Sequence, residues 1–278
     1  MSDRPDTGRA AWTTVQAMMA AVGLLTLYPL YFIVVTALKT RKEYLTNQFL
    51  PPAHPTLENF HVAFRDGDLL RWVANSVVIT ISSVTIAAVV AALAAYPLAR
   101  TRFPGRLPFL ALNVVLMVVP PVVLIVPLFL FFVDLGLVNS RLAVVIIYVG
   151  LLLPFSIYLL VNFFATIPRS LEEAARMDGA SDLRTLRSVI VPLSGPAIVT
   201  IVVVNAVWVW NELLIALVFL QDDNARTLTA GLTFFHGRFL ANEPLVMTGA
   251  LIATVPMLLL YIVGQRFFIR GLTAGFGK

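Results

Sequence analysis

The sequence predicts an all-α membrane protein with six transmembrane helices, and three observations predict it. The 278 residues are 59% hydrophobic and 13% charged, whereas a soluble domain is roughly 45–50% apolar and about 25% charged. The apolar excess falls into blocks longer than the ~20 residues that cross ~30 Å of hydrocarbon at 1.5 Å per residue. Between the blocks, basic residues collect more heavily in alternate gaps, the pattern of cytoplasmic loops. Helices satisfy their own backbone groups in lipid, and strands of this length do not fit the pattern.

The expected spans are residues 12–38, 72–99, 107–133, 142–165, 197–220 and 245–268. The polar, mixed-charge start lacks a compact signal-peptide pattern, so the first block is expected to remain as a span. Prolines 29, 97, 120, 121, 127, 154 and 256 fall inside spans. Membrane helices tolerate proline where neighbours re-satisfy the backbone. The run from Val119-Pro120-Pro121 to Pro127 predicts a third span that is broken or kinked.

With an even number of spans both termini share one side. Taken as inside, that side holds Arg4, Arg9, Arg100, Arg102, Arg106, Arg169, Arg176, Arg184, Arg187, Arg266, Arg270 and Lys278. The balance places both termini in the cytoplasm, with residues 39–71 dissenting. That first loop also carries Glu43, Glu58, Asp66 and Asp68 and an amphipathic stretch around 57–64, as in an ordered external cap. The net charge of +5 is scattered, which gives no nucleic-acid surface. Without cysteine there is no disulfide framework, thiol nucleophile or cysteine metal site. His54, His61 and His236 are expected in loops without metal-ligand spacing, so no metal site is expected.

The stretch 168–196 is a polar, helix-prone interruption in this apolar chain. Ser170 and Glu173 have capping-box spacing. They predict a helix over 171–177, with Glu172 and Glu173 near the positive end of its dipole. Asp178-Gly179 should stop it, because glycine supplies the left-handed position after a helix. Ser181 or Asp182 can cap a second helix over 183–190, ended by Pro192, and Pro196 should open the fifth span. Ala174, Ala175 and Ala180 keep the elbow slim, while Leu171, Met177, Leu183 and Leu186 offer apolar contacts. Such a helix-turn-helix suits a groove on a partner. It equally suits a capped loop that only joins two spans.

Glu173-Ala174-Ala175, Asp178-Gly179-Ala180, Val189 and Val191-Pro192 resemble the EAA loop of permease subunits in ABC importers. Leu186 stands for the family's usual aromatic and Val191 for its leucine. Asn75-Ser76, Ala95-Tyr96-Pro97-Leu98-Ala99-Arg100, Phe103-Pro104-Gly105, Trp210-Asn211-Glu212 and Gln265-Arg266-Phe267-Phe268 are similar to the carbohydrate-type, MalG-like permeases, over nearly the whole chain. The tail departs, with Gly275-Phe276-Gly277-Lys278 where the family usually has Ala-Val-Lys-Gly.

The resemblance implies a type I ABC importer permease fold as one transmembrane domain, 1–278, with a cytoplasmic coupling loop over 166–196. It implies a conduit subunit in a bacterial plasma membrane, not an enzyme, for import of a di- or oligosaccharide. Glu172, Glu173, Ala174, Ala175, Met177, Asp178, Gly179, Ala180, Leu183, Leu186 and Pro192 would couple it to an ATPase. The implied partners are a second homologous permease, two copies of a cytoplasmic ATP-binding subunit and an extracytoplasmic sugar-binding protein. ATP and Mg would sit on the ATPase, and this chain contains no G-x-x-x-x-G-K-[ST] of its own.

Polar residues inside spans are pathway candidates because lipid makes them costly. Asn205, Trp208 and Glu212 follow i, i+3, i+7 spacing, one helical face. Aromatic rings stack on sugars and amides bond hydroxyls, so this stripe, with Asn211 and more weakly Tyr158, Asn162 and Asn113, could line a carbohydrate path. Glu212 could instead be glue between helices or to a partner permease. An ion-coupled carrier would need charged pairs and repeated halves, which are not evident. A membrane enzyme would need converging reactive groups, also not evident. Glycerol 3-phosphate or another polyol stays open as cargo.

Overall fold

The computed structural model describes residues 7–66, 68–238 and 242–276, with side chains except at 7–11, 66, 235, 236, 238 and 263–276. Arg4 and the tail residues Gly277 and Lys278 lie outside the described residues. Every regular element among them is helical: α1 (Thr7–Ala37), α2 (Arg41–Thr46), α3 (Glu58–Asp66), α4 (Leu69–Arg100), α5 (Arg106–Val118), α6 (Pro121–Asp134) and α7 (Arg141–Thr166). Then follow α8 (Arg169–Met177), α9 (Asp182–Thr185), a π turn (Leu186–Ile190), α10 (Val191–Leu193), α11 (Gly195–Asn211), α12 (Leu214–Phe219), α13 (Leu228–Arg238) and α14 (Glu243–Phe276). Among the described residues four helices are long and apolar enough to cross a membrane, or six spans if each of two bent helix pairs counts as one.

α1, α4, α7 and α14 start at Thr7, Leu69, Arg141 and Glu243, one to five residues before the expected blocks at 12, 72, 142 and 245. The third span is broken, one of the two forms expected of it. α5 and α6 meet at 98°. Pro120 and Pro121 cannot donate backbone hydrogen bonds, and a residue before proline is driven to extended geometry. Val119 and Pro120 accordingly have ψ of 117° and 128°. The fifth span is shorter than expected. α11 ends at Asn211, Glu212 is extended (ψ 126°), and α12 starts afresh at Leu214. α13 had no counterpart in the apolar pattern, and His61 and His236 lie on α3 and α13 rather than in loops.

The chain forms two compact units, residues 1–68 with 234–252 and residues 69–233 with 253–278. In the first, the end of α1 is held by side chains. The Asn59 amide donates to the Ala37 and Lys39 carbonyls (2.8 and 2.7 Å). The fully buried Lys39 Nζ donates to the Asn47 and Gln48 carbonyls (2.8 and 3.0 Å). Burial pushes the Lys39 ammonium below the usual lysine range, with Glu43 opposing. The expected ordered cap is thus a set of side-chain bonds to helix-end carbonyls, which helices leave unsatisfied.

In the second unit α4 lies along α7, and α11 packs on both. Ala87, Ala91 and Ala95 are fully buried along α4. This run of small residues lets helices approach closely, which drives packing where lipid offers no hydrophobic gain. Two apolar clusters result. One gathers Ile79, Val144, Tyr148 and Phe219, and the other gathers Tyr96, Leu160, Phe164, Leu186, Ile190 and Ile201. The second cluster anchors the elbow.

Candidate functional site

Pro168 occupies the N-cap of α8 with φ −58° and ψ 134°, and no side chain caps this end. Arg169 is already helical, so Ser170 lies inside the helix and the expected capping box is absent. The C-terminus is as expected. Gly179 has φ +77°. Its amide donates to the Arg176 carbonyl (3.0 Å) and the Ala180 amide to the Ala175 carbonyl (2.9 Å). These are the two bonds of a Schellman ending, which needs a left-handed residue at Gly179. Ser181 then caps α9 by accepting from the Arg184 amide.

The second elbow helix does not stop at Pro192. Pro192 lacks the amide for an α-helical bond, and its ring crowds the carbonyl four residues back. The chain widens into the π turn Leu186–Ile190 just before it and stays helical to Leu193. Helical structure from Asp182 to Leu193 then meets α11 at 79°, and Pro196 opens α11 as expected.

The elbow has two faces. Met177 is 89% exposed at its tip, and Leu183 (65%) and Leu171 (43%) are exposed beside it. Glu173, Ala174, Asp178, Gly179 and Pro192 are exposed, and Ala175 and Ala180 half-buried. Glu172 and Leu186 are each only 5% exposed. These two, expected to meet an ATPase, face the protein's own interior, because neighbouring helix positions point about 100° apart. Leu186 joins the second apolar cluster. Glu172 forms a buried ion pair with Arg100, the last residue of α4. Tyr96 Oη donates to the second Glu172 oxygen (3.3 Å), and Arg100 Nη2 to the Ile167 carbonyl that follows α7 (2.9 Å).

The Asn205–Trp208–Glu212 stripe does share one face, and that face packs on α7. Asn205, 3% exposed, donates to Ser156 Oγ (2.9 Å). Trp208 meets Tyr148 edge to face at 5.8 Å. The Glu212 carboxylate accepts from Tyr148 Oη (2.7 Å) and from the amides of Ile215 (3.0 Å) and Ala216 (3.2 Å). It therefore fills the unpaired donors that start α12. Where α11 stops, Thr229 Oγ1 donates to the Trp210 carbonyl (2.7 Å) and Trp210 Nε1 to the Ala253 carbonyl (3.2 Å). The remaining candidates, Tyr158, Asn162 and Asn211, are exposed. The two asparagines bond back to their own helices, at the Tyr158 and Val207 carbonyls (2.9 and 2.8 Å). Asn113 is buried and donates to the Pro154 carbonyl (2.8 Å).

Sequence reasoning missed the partners. Asn75 on α4 donates to the Asn224 and Arg226 carbonyls (both 2.9 Å) and accepts from Arg141 (2.8 Å). Ser76 accepts from the Leu228 amide (2.8 Å), and Asn139, at φ +63°, accepts from the amides of Gln221 and Asp222 (2.7 and 3.0 Å). These bonds clasp the 221–228 segment to the starts of α4 and α7. The available signal was chemical: a polar side chain in an apolar span needs a partner. Among the described residues no three His, Asp or Glu side chains gather where a metal could bind.

Residues 83–270 match the family of binding-protein-dependent transport system inner membrane components. The melibiose/raffinose/stachyose import permease MelC of Bacillus subtilis (strain 168) is 34% identical over 262 residues, 94% of this chain and 95% of that one. The sulfoquinovosyl glycerol transport permease SmoH of Agrobacterium fabrum (strain C58 / ATCC 33970) is 36% identical, over 90% and 88% of the two chains. A chain in the crystal structure of a bacterial ABC transporter involved in import of the acidic polysaccharide alginate superposes with a TM-score of 0.84. That chain is 26% identical, and the match covers 96% of this chain and 100% of that one. With an all-helical fold, apolar spans and an exposed polar elbow, this chain belongs to the family of binding-protein-dependent transport system inner membrane components, the permease subunits of ABC importers.

Proposed function

We propose that this chain is half of the translocation pathway of an ATP-driven importer for a di- or oligosaccharide. It works with a second homologous permease, two cytoplasmic ATP-binding subunits and an extracytoplasmic sugar-binding protein. The elbow carries the reading. A helix end locked by its own backbone presents Met177, Leu183 and Leu171 to the outside, flanked by Glu173, Asp178 and Arg184. A membrane protein gains nothing from exposing such apolar tips to water, whereas a groove on a partner buries them. ATP and Mg belong to that partner, and both termini share its side, the cytoplasm.

The cargo assignment rests on the sugars named for the similar permeases. Tyr158, Asn162 and Asn211 are the residues open to a pathway, since polar groups are costly against lipid. Asn205, Trp208 and Glu212 shape that pathway by fixing α11 on α7. The test uses the importer assembled with its partner permease, ATPases and binding protein in proteoliposomes. Met177→Asp should reach the membrane and lower uptake at least about tenfold, since a buried charge at a docking tip costs over 1.4 kcal/mol. Met177→Cys should cross-link to the ATPase. Normal uptake by Met177→Asp together with no cross-link would refute the docking assignment.

A further inference from the structure

We infer that Glu172 is a positioning residue that ties the elbow to α4, so that a push on the elbow moves the transmembrane bundle instead of bending a loop. The inference rests on the elbow being where the ATPases dock. Three helix ends converge on this one carboxylate. Glu172 lies in the first turn of α8, Arg100 is the last residue of α4, and Arg100 also grips the carbonyl after α7. Each charge complements the dipole of its own helix, acid at an N-terminus and base at a C-terminus. Tyr96, one turn before Arg100, holds the second carboxylate oxygen. Both ionic side chains are buried, at 5% and 7% exposure.

Placement argues for transmission over simple stability. Between α7 and α8 the chain runs through Ile167 and Pro168 in extended geometry, a connection that would swivel on its own. The exposed tip at Met177 is on the far side of the same short helix. A force at that tip therefore reaches α4 through Glu172 and Arg100. α4 is the helix that packs on both α7 and α11. Replacing a buried pair by one uncharged partner leaves the other charge uncompensated and free to seek a new arrangement.

The experiment measures uptake and ATP hydrolysis together in the reconstituted importer. Glu172→Gln should raise ATP consumed per sugar imported by about 5- to 150-fold, the usual span of a coupling interaction, while Met177→Cys in that background still cross-links to the ATPase. The double reversal Arg100→Glu/Glu172→Arg should recover part of the ratio. If Glu172→Gln does not assemble, Tyr96→Phe is read the same way, with a smaller rise expected. An unchanged ratio with the cross-link intact overturns the inference and leaves the docking site standing. Loss of the cross-link in Glu172→Gln alone also overturns it, because Glu172 would then touch the ATPase. Failure of the cross-link in the otherwise native protein removes the docking assignment instead.

Discussion

Replacing Glu212 by alanine should destabilise this permease before it alters what the permease carries. The carboxylate receives three donors, one from the buried Tyr148 hydroxyl and two from the amides that open α12. Hydrogen bonds to a charged group each contribute roughly 1.5–3 kcal/mol, and orphaned buried donors add their desolvation. Losing all three at a helix start that no other side chain caps should cost about 3–5 kcal/mol, since such terms do not sum fully. At roughly 2–4 °C per kcal/mol for a chain of this size, the melting temperature should fall by on the order of 10 °C. The assay is thermal unfolding of the assembled importer in nanodiscs, followed by intrinsic fluorescence. Tyr148→Phe removes only the hydroxyl and should lower stability by about 1.5 kcal/mol. The double variant should fall short of the sum by about 1 kcal/mol or more, because the two residues share a bond. If Glu212→Ala melted within about 2 °C of the parent and yet lost uptake, the carboxylate would be acting on cargo and the structural account would fail.

Two further outcomes follow from packing. A Cβ on Gly231 would lie 2.3 Å from the Trp72 ring, so Gly231→Ala must displace that ring and its bond to the Asp223 carbonyl. We expect a loss of about 1–3 kcal/mol in the same melting assay, and an unchanged melting point would show that Trp72 yields freely. Ser156→Ala should cost about 1–3 kcal/mol by stranding the Asn205 amide. Asn205→Ala should cost less, because Ser156 Oγ still donates to the Leu152 carbonyl, and the double variant, with neither polar group left, should cost no more than Ser156→Ala alone. Additive losses in that pair would mean the Asn205–Ser156 bond is not what holds the helices.

Much of the architecture was legible in the sequence because lipid imposes a simple rule. An apolar run of sufficient length must be a helix, so four spans could be placed from composition alone. The Gly179 turn and the Ser181 cap were legible for a similar reason, since both depend on residues within one turn of each other. The end of the fifth span was not. Nothing apolar distinguishes the segment before Asn211 from the one after it. The break exists because Glu212 turns its carboxylate onto the amides of α12 and onto Tyr148, 64 residues away in the chain.

What the sequence determined by itself was therefore local and periodic: apolar length, the elbow's position and bend, the absence of a phosphate-binding loop, and the common face of Asn205, Trp208 and Glu212. Tertiary structure alone decided what each face meets. Spacing put Glu172 and Glu173 side by side, and only the approach of α4 turned the first inward to Arg100 and left the second outside. A helix repeats every 3.6 residues whatever surrounds it, so periodicity names a face. The partner on that face is set by packing between distant segments, which no local pattern encodes.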